Sequence, residues 1–128
     1  MRALSVRQPW AELILRGRKI IECRSRPTRV QERVWIYAAR GVVHLTPIYP
    51  RTDPRIDAAG LPRGVLVGSV EIVNSRPLRR SDRKAACLEV DFDGYAWILA
   101  HPKRLAVPMK PVRHPQPTFF YPFDLATR

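Results

Sequence analysis

The sequence predicts a mainly β domain of the α+β kind, a small β-barrel with one N-terminal helix and one or two short helices packed on it. Three observations carry this. Short runs rich in β-branched and aromatic residues, such as Val34–Ala38, Val65–Val73 and Tyr95–Ala100, recur along the chain and read as strands. The segment 8–17 carries the clearest helical spacing. Thirteen prolines break the remainder into pieces too short for a helical bundle. A length of 128 residues suits one domain over residues 1–128, large enough to bury a core without covalent staples.

Arg2–Val6 reads as the first strand. Gln8–Gly17 reads as a helix: proline is tolerated at a first helical position, Glu12 suits the positive end, Arg16 the negative end and Gly17 a left-handed stop. Trp10, Leu13 and Ile14 share one face and are expected to anchor it to the core. Ile20–Arg24 and Val34–Ala38 are strands joined by the loop Ser25–Glu32. Thr46–Gly64, with Pro47, Pro50, Pro54 and Pro62, is expected as a long surface excursion holding one helical turn near Ile56–Ala59. Val65–Val73 is the strongest strand signal. Arg79–Ala86 is expected as a short polar helix. Cys87–Phe92, Tyr95–Ala100 and Phe119–Phe123 complete the strands, with Asp93-Gly94 as a hairpin turn.

The formal net charge is +12, and nineteen of the 23 basic residues are arginine. Residues 1–51 hold eleven Lys/Arg against Glu12, Glu22 and Glu32, residues 52–100 are balanced, and residues 101–128 add a net +4. A planar guanidinium fork suits phosphate and stacks on bases, so the surplus points to a polyanionic partner, RNA or a nucleotide. A GC-rich coding sequence would give the same arginine bias. No apolar run approaches the ~18–20 residues of a membrane span. The start Met1-Arg2-Ala3-Leu4-Ser5-Val6 does not read as a signal peptide, so a cytoplasmic chain with Cys23 and Cys87 reduced is expected. Nothing in the sequence sets an oligomeric state, and a monomer is the default.

The run Gly17-Arg18-Lys19-Ile20-Ile21-Glu22-Cys23-Arg24 sets charges among apolar residues, where an unpaired buried charge costs several kcal/mol. Strand alternation puts Glu22 and Arg24 on one face and Ile21 and Cys23 on the other, with the second pair toward the core. The charged pair then forms either an exposed ion pair of little worth or the wall of a ligand pocket. Lys19 falls at the helix-to-strand turn, where alternation does not fix its direction. In a pocket, Arg24 can hold a phosphate or a base carbonyl, Glu22 can accept from an exocyclic amine such as cytosine N4, and Lys19 can neutralise a phosphate or act as nucleophile or base. Arg7 and Gln8 are candidate rim donors.

Leu4-Ser5-Val6-Arg7-Gln8-Pro9-Trp10-Ala11, followed by Gly17-x-Lys19-x-x-Glu22-x-Arg24, resembles the ASCH (activating-signal-cointegrator homology) domain, whose signature is G-x-K-x-x-E-x-R. Val34–Ala38, Gly68–Val73 and Tyr95–Leu99 with Pro102 and Arg104 extend the resemblance over nearly the whole chain. It implies a PUA-like β-barrel, related to RNA-modification modules, with a cleft where the first helix meets the barrel; Arg7, Gln8, Trp10, Lys19, Glu22 and Arg24 would bind the ligand. The closing Arg113–Phe120 departs from the glycine-containing ending of many members, so the rim of the cleft is expected to differ here. A bacterial branch resembles amidohydrolases that deacylate N4-acylated cytidine, and its catalytic residues fall by position on Lys19, Glu22 and Glu71. That branch carries threonine where this chain has Glu22, and a carboxylate changes both charge and proton inventory.

His44, His101 and His114 lack metal-ligand spacing, so neither a metal nor another cofactor is expected. Trp35, Tyr37 and Trp97 are read mainly as barrel-wall packing, with base stacking as the alternative. Glu71 interrupts an apolar strand, so the pocket and solvent readings stand equal for it. Three functions remain: a module binding RNA or a modified nucleobase, which is favoured; a small amidohydrolase using Lys19, Glu22 and Glu71; and a ribonuclease, for which no convincing general base can be named. Whether the chain is an enzyme stays open.

Overall fold

The computed structural model describes residues 1–41, 60–88 and 93–124. Strands β1 (Ala3–Arg7), β2 (Ile21–Arg24), β3 (Arg33–Ala39), β4 (Val65–Pro77), β5 (Tyr95–Met109) and β6 (Phe119–Phe120) form one sheet in the order β2-β5-β4-β3-β1-β6. The β1–β3 pairing is parallel and the others are antiparallel. The sheet curls into a half-barrel carrying two short helices, α1 (Trp10–Leu15) and α2 (Arg83–Ala86). The expected mainly β architecture with an N-terminal helix is what the chain adopts.

The barrel core packs Leu4 and Val6 of β1, Val34 and Ile36 of β3, Val70 and Ile72 of β4, and Trp97 of β5 against Ala11 and Ile14 of α1. Helix α1 is shorter than the 8–17 expected. Gln8 stays outside it, and its Oε1 accepts from the Glu12 amide at 3.0 Å. The chain stops the helix at Gly17, whose φ of +74° lies where a side chain is disfavoured. Leu13 and Ile14 are buried as expected. Glu12 is also buried, and it fastens α1 to β5: Arg104 Nη1 and Nη2 donate to its two oxygens at 2.9 and 2.8 Å, and Arg16 Nε donates at 2.6 Å. Burial pushes the Glu12 carboxyl up, but the Arg104 and Arg16 guanidiniums outweigh it and hold it below the ordinary range. Gly68 of β4 is the contact point, because a Cβ there would lie 2.5 Å from Leu15 Cδ2 and 2.3 Å from the Lys103 carbonyl oxygen.

Other elements depart from the sequence reading. Strand β5 runs on to Met109 rather than ending at Ala100, and Pro102 and Pro108 fall at register shifts against β4, where a residue without an amide donor is tolerated. Residues 79–86 form a 3-10 turn, Arg80–Asp82, leading into α2. Cys87 does not begin a strand: at φ 58° it caps α2, and the Leu88 amide returns to the Arg83 carbonyl. The rest of the expected strand 87–92 lies outside the described residues, and β5 pairs instead with β2 and β4. Strand β6 stops at Phe120, because Pro122 has no amide to donate and its carbonyl accepts from Val112 and Arg113. The helical turn expected near Ile56–Ala59 lies outside the described residues, as does His44.

Candidate functional site

The turn after Gly17 decides the direction of Lys19. The Arg18 and Lys19 amides both donate to the Leu13 carbonyl, and the Ile20 amide donates to Ala85. Ile20 is thereby left exposed, and the Lys19 side chain passes beneath the carbonyl end of α2. Its Nζ, only 2% exposed as a residue, donates to the Ala86 carbonyl at 2.7 Å and lies 3.5 Å from Glu22 Oε1. A cation there satisfies a terminal helix carbonyl.

Glu22 stands opposite Trp97 in the β2–β5 ladder, and opposed residues share a face. Trp97 belongs to the barrel core, so Glu22 and Arg24 face the barrel interior. The opposite face of β2 is covered as well: Ile21 is buried with Ala86 and Ala96 in a second apolar cluster that Cys23 and Leu88 flank, which is the apolar packing expected of that face. The interior tolerates the charges because they compensate each other. Arg24 Nη2 lies 2.7 Å from Glu22 Oε2 and Nε donates to the same oxygen at 2.9 Å, while Lys19 faces the other oxygen. Arg24 also lies 5.5 Å from the Trp97 ring centroid, within cation–π range. Its Nη2 then reaches across from β2, at one sheet edge, to the Ser5 carbonyl of β1 at 2.8 Å. Strand β6 pairs only with Ala3 and Leu4, which leaves that carbonyl available.

These groups meet at a cavity of about 550 Å³ along the seam between β2 and β1. Lys19, Glu22 and Arg24 form its charged side. Ser5, Arg7, Tyr37 and Ala39 form the β1–β3 side, Trp10 stands at the start of α1, and Pro115–Pro117 form the remaining rim. Ser5 holds that rim in place: its amide donates to the Thr118 carbonyl and its hydroxyl to the Gln116 carbonyl, both at 2.9 Å. Cys23 and Leu88 also reach the cavity. Burial pushes the Cys23 thiol up to about 11, against a smaller opposing pull from Lys19, so it lines the wall as a thiol rather than a nucleophile.

The sequence model of the ASCH domain matches residues 4–109. This chain belongs to the ASCH domain family. Among solved structures, an ASCH protein from Zymomonas mobilis is similar at 15% identity and a TM-score of 0.62, with 94% of this chain and 85% of that one covered. A point-mutant form of that protein gives 14% identity and a TM-score of 0.60, covering 94% of this chain and 88% of that one. At such identities the likeness establishes the fold alone. No curated protein matches this chain. The ASCH domain has a PUA-like fold associated with RNA binding.

Within this ASCH domain, Arg7, Trp10, Lys19, Glu22 and Arg24 come together at the cavity. Gln8 and Glu71 do not line it. Gln8 is 1% exposed, and its amide ties α1 to the Pro62 carbonyl while its oxygen takes the Glu12 amide; it builds the helix entrance rather than the rim. Glu71 faces Arg33 Nη2 at 3.4 Å and His101 Nδ1 at 3.3 Å. His101 first, and Arg33 with it, holds the Glu71 carboxyl below its ordinary range. The sequence reading missed Ser5 and Cys23 as lining residues, while the 115–117 rim falls in the closing segment that the family resemblance set at the cleft. Ser5 was legible in principle, since alternation along β1 sets it on the Arg7 face away from Leu4 and Val6. The 115–117 rim is tied to β1 through the Gln116 carbonyl, which accepts from the Ser5 hydroxyl. Trp97 stacks on Phe119 at 5.7 Å and Trp35 meets Phe123 edge-on, as the wall reading expected, whereas Tyr37 meets Phe120 edge-on and also lines the cavity. Among the described residues no cluster of three metal-ligating side chains occurs, and no helix is long and apolar enough to cross a membrane.

Proposed function

We propose that this ASCH domain binds single-stranded RNA, or a modified nucleobase within it, by taking a base into the seam cavity. The carrying observation is the convergence of Lys19, Glu22 and Arg24 with Trp10 and Tyr37 on one cavity of about 550 Å³, a volume in the range of small-ligand sites. Aromatic side chains offer stacking surface. The Glu22 carboxylate, fixed between two cations, is a preorganised acceptor for an exocyclic amine. Arg7 on the open side adds positive charge where the backbone would pass.

The amidohydrolase alternative draws on Lys19 and Glu22 but gains nothing from Glu71, whose partners are Arg33 and His101. In Lys19, the candidate nucleophile, the ammonium is engaged by Ala86 and Glu22.

The test is a fluorescence-anisotropy titration of a short unstructured oligoribonucleotide over a range of salt concentrations. Binding is expected to weaken linearly in log–log form, with a slope of about −0.7 per phosphate contacted, and Arg24→Ala is expected to reduce affinity about tenfold or more. Absence of binding at low salt, or a flat salt response, would overturn the reading. Turnover of N4-acetylcytidine that disappears in Lys19→Ala would replace it with the hydrolase.

A further inference from the structure

A second, smaller cavity of about 240 Å³ adjoins the first, and Tyr37 and Pro115 line both. The two are thus separated by one shared wall. Their electrostatics differ. In the first, Lys19 and Arg24 are already engaged by Glu22. In the second, Arg40, Lys110 and His114 supply the side-chain nitrogens, and no carboxylate is among the described residues lining it.

Arg40 is held there by the backbone. It leaves the sheet just after the end of β3 and lies across Gly64, so closely that a Cβ at 64 would sit 2.7 Å from Arg40 Nε and 3.1 Å from Cζ. Gly64 adopts φ +74°, and its amide donates to the buried Ala38 carbonyl at 2.6 Å, which fixes the surface on which the guanidinium rests. A glycine therefore makes room for the fork at the cavity. Lys110, immediately after β5, and His114 come from the segment that continues into the rim of the first cavity at Pro115.

We infer that the second cavity is a phosphate subsite, taking the phosphate group of the same nucleotide whose base occupies the first. This rests on the base-binding reading above and extends it: the ligand is a nucleotide unit of RNA rather than a free nucleoside. A base against Trp10 and Tyr37 carries its sugar and phosphate over the Tyr37–Pro115 wall. There a guanidinium fork and an ammonium offer charge-assisted donors, and the imidazole a further N–H, with no carboxylate among the described lining residues.

The experiment is calorimetric titration at low salt of the whole chain with the four ribonucleosides, their 5′- and 3′-monophosphates, and inorganic phosphate. For whichever base binds, one monophosphate is expected to bind at least about tenfold more tightly than its nucleoside. Arg40→Ala and Lys110→Ala are each expected to remove most of that advantage and leave nucleoside affinity unchanged. Gly64→Ala is expected to act like Arg40→Ala by displacing the fork, and the two surface variants keep the test valid if Gly64→Ala fails to fold. Equal affinity for nucleoside and both monophosphates, or an advantage that survives the surface variants, overturns the subsite while leaving the base cavity standing. Inorganic phosphate binding as tightly as the nucleotide also overturns it, making the cavity a free-anion site. Failure of every nucleoside and nucleotide to bind overturns the base cavity and the subsite together.

Discussion

Lys19, Glu22 and Arg24 form a compensated set: one carboxylate between two cations, with the lysine almost wholly removed from solvent. Breaking a buried pair by deleting one partner costs several kcal/mol, because the remaining charge is stranded. Glu22→Gln is therefore expected to lower stability by about 2–4 kcal/mol in urea denaturation. Lys19→Met combined with Glu22→Gln should be less destabilised than the sum of the two single variants by at least about 1 kcal/mol. Strict additivity would show that the 3.5 Å approach carries no coupling. Period-two alternation made the shared face of Glu22 and Arg24 legible in the sequence. It left the direction of Lys19 open, since three backbone bonds around Gly17 decide that. It also placed Ile21 and Cys23 against apolar neighbours, as found, but could not show that the charged face is covered too, because the Glu22 partners come together only in space.

At the scale of elements, the cavity depends on two helices being pinned. Helix α1 approaches β4 so closely at Gly68 that an added methyl would meet Leu15 and the Lys103 carbonyl. Gly68→Ala is expected to cost about 1–3 kcal/mol through overpacking, read as a lowered Tm, and to weaken the proposed RNA binding by displacing α1 and with it Trp10. Helix α2 is held through Asp82, which accepts from Arg76 Nη1 and Nη2 at 2.8 Å and from the Arg79 amide at 2.7 Å. The Arg76 guanidinium, then the Arg79 amide, holds the Asp82 carboxyl down at about 2 against an ordinary 3.8. A depressed folded-state value means the contribution is present above the unfolded value and is lost as pH falls through the folded one. Stability should therefore decline between about pH 4 and pH 2, and Asp82→Asn should flatten that part of a pH–denaturation profile. An undiminished decline in the variant would assign it to other carboxylates. The capping of α1 by Gly17 and its acidic first turn were readable from residue type. The length of β5 was not: Pro102 and Pro108 argue against a strand, and only the register shifts opposite them show how the ladder admits them.

For the molecule as a whole, the strand-rich pattern and the family motif made the curled sheet legible, because alternation and turn residues are local properties. The placement of Glu71 was not. It follows from the register that sets it opposite Arg33 of β3 and Ala100 of β5, a long-range relation that no window of sequence holds. The Arg24 bond to Ser5 has a mechanical consequence at this scale. Strands elsewhere in the sheet are spaced by backbone ladders near 4.8 Å, a rigid gauge. The gap between β2 and β1 is instead spanned by side chains, the Arg24 fork on Ser5 and the Trp97–Phe119 stack beside it, so its width follows their length and shape. The girth of the barrel and the aperture of the seam cavity are then coupled. Arg24→Lys, which swaps the fork for a single point of attachment, should loosen both together, and protection of the β1 and β2 amides from hydrogen exchange should fall in step with affinity for RNA. Conversely, a ligand that clasps Arg24 should draw the wall closed like a hoop and raise the Tm of the entire sheet.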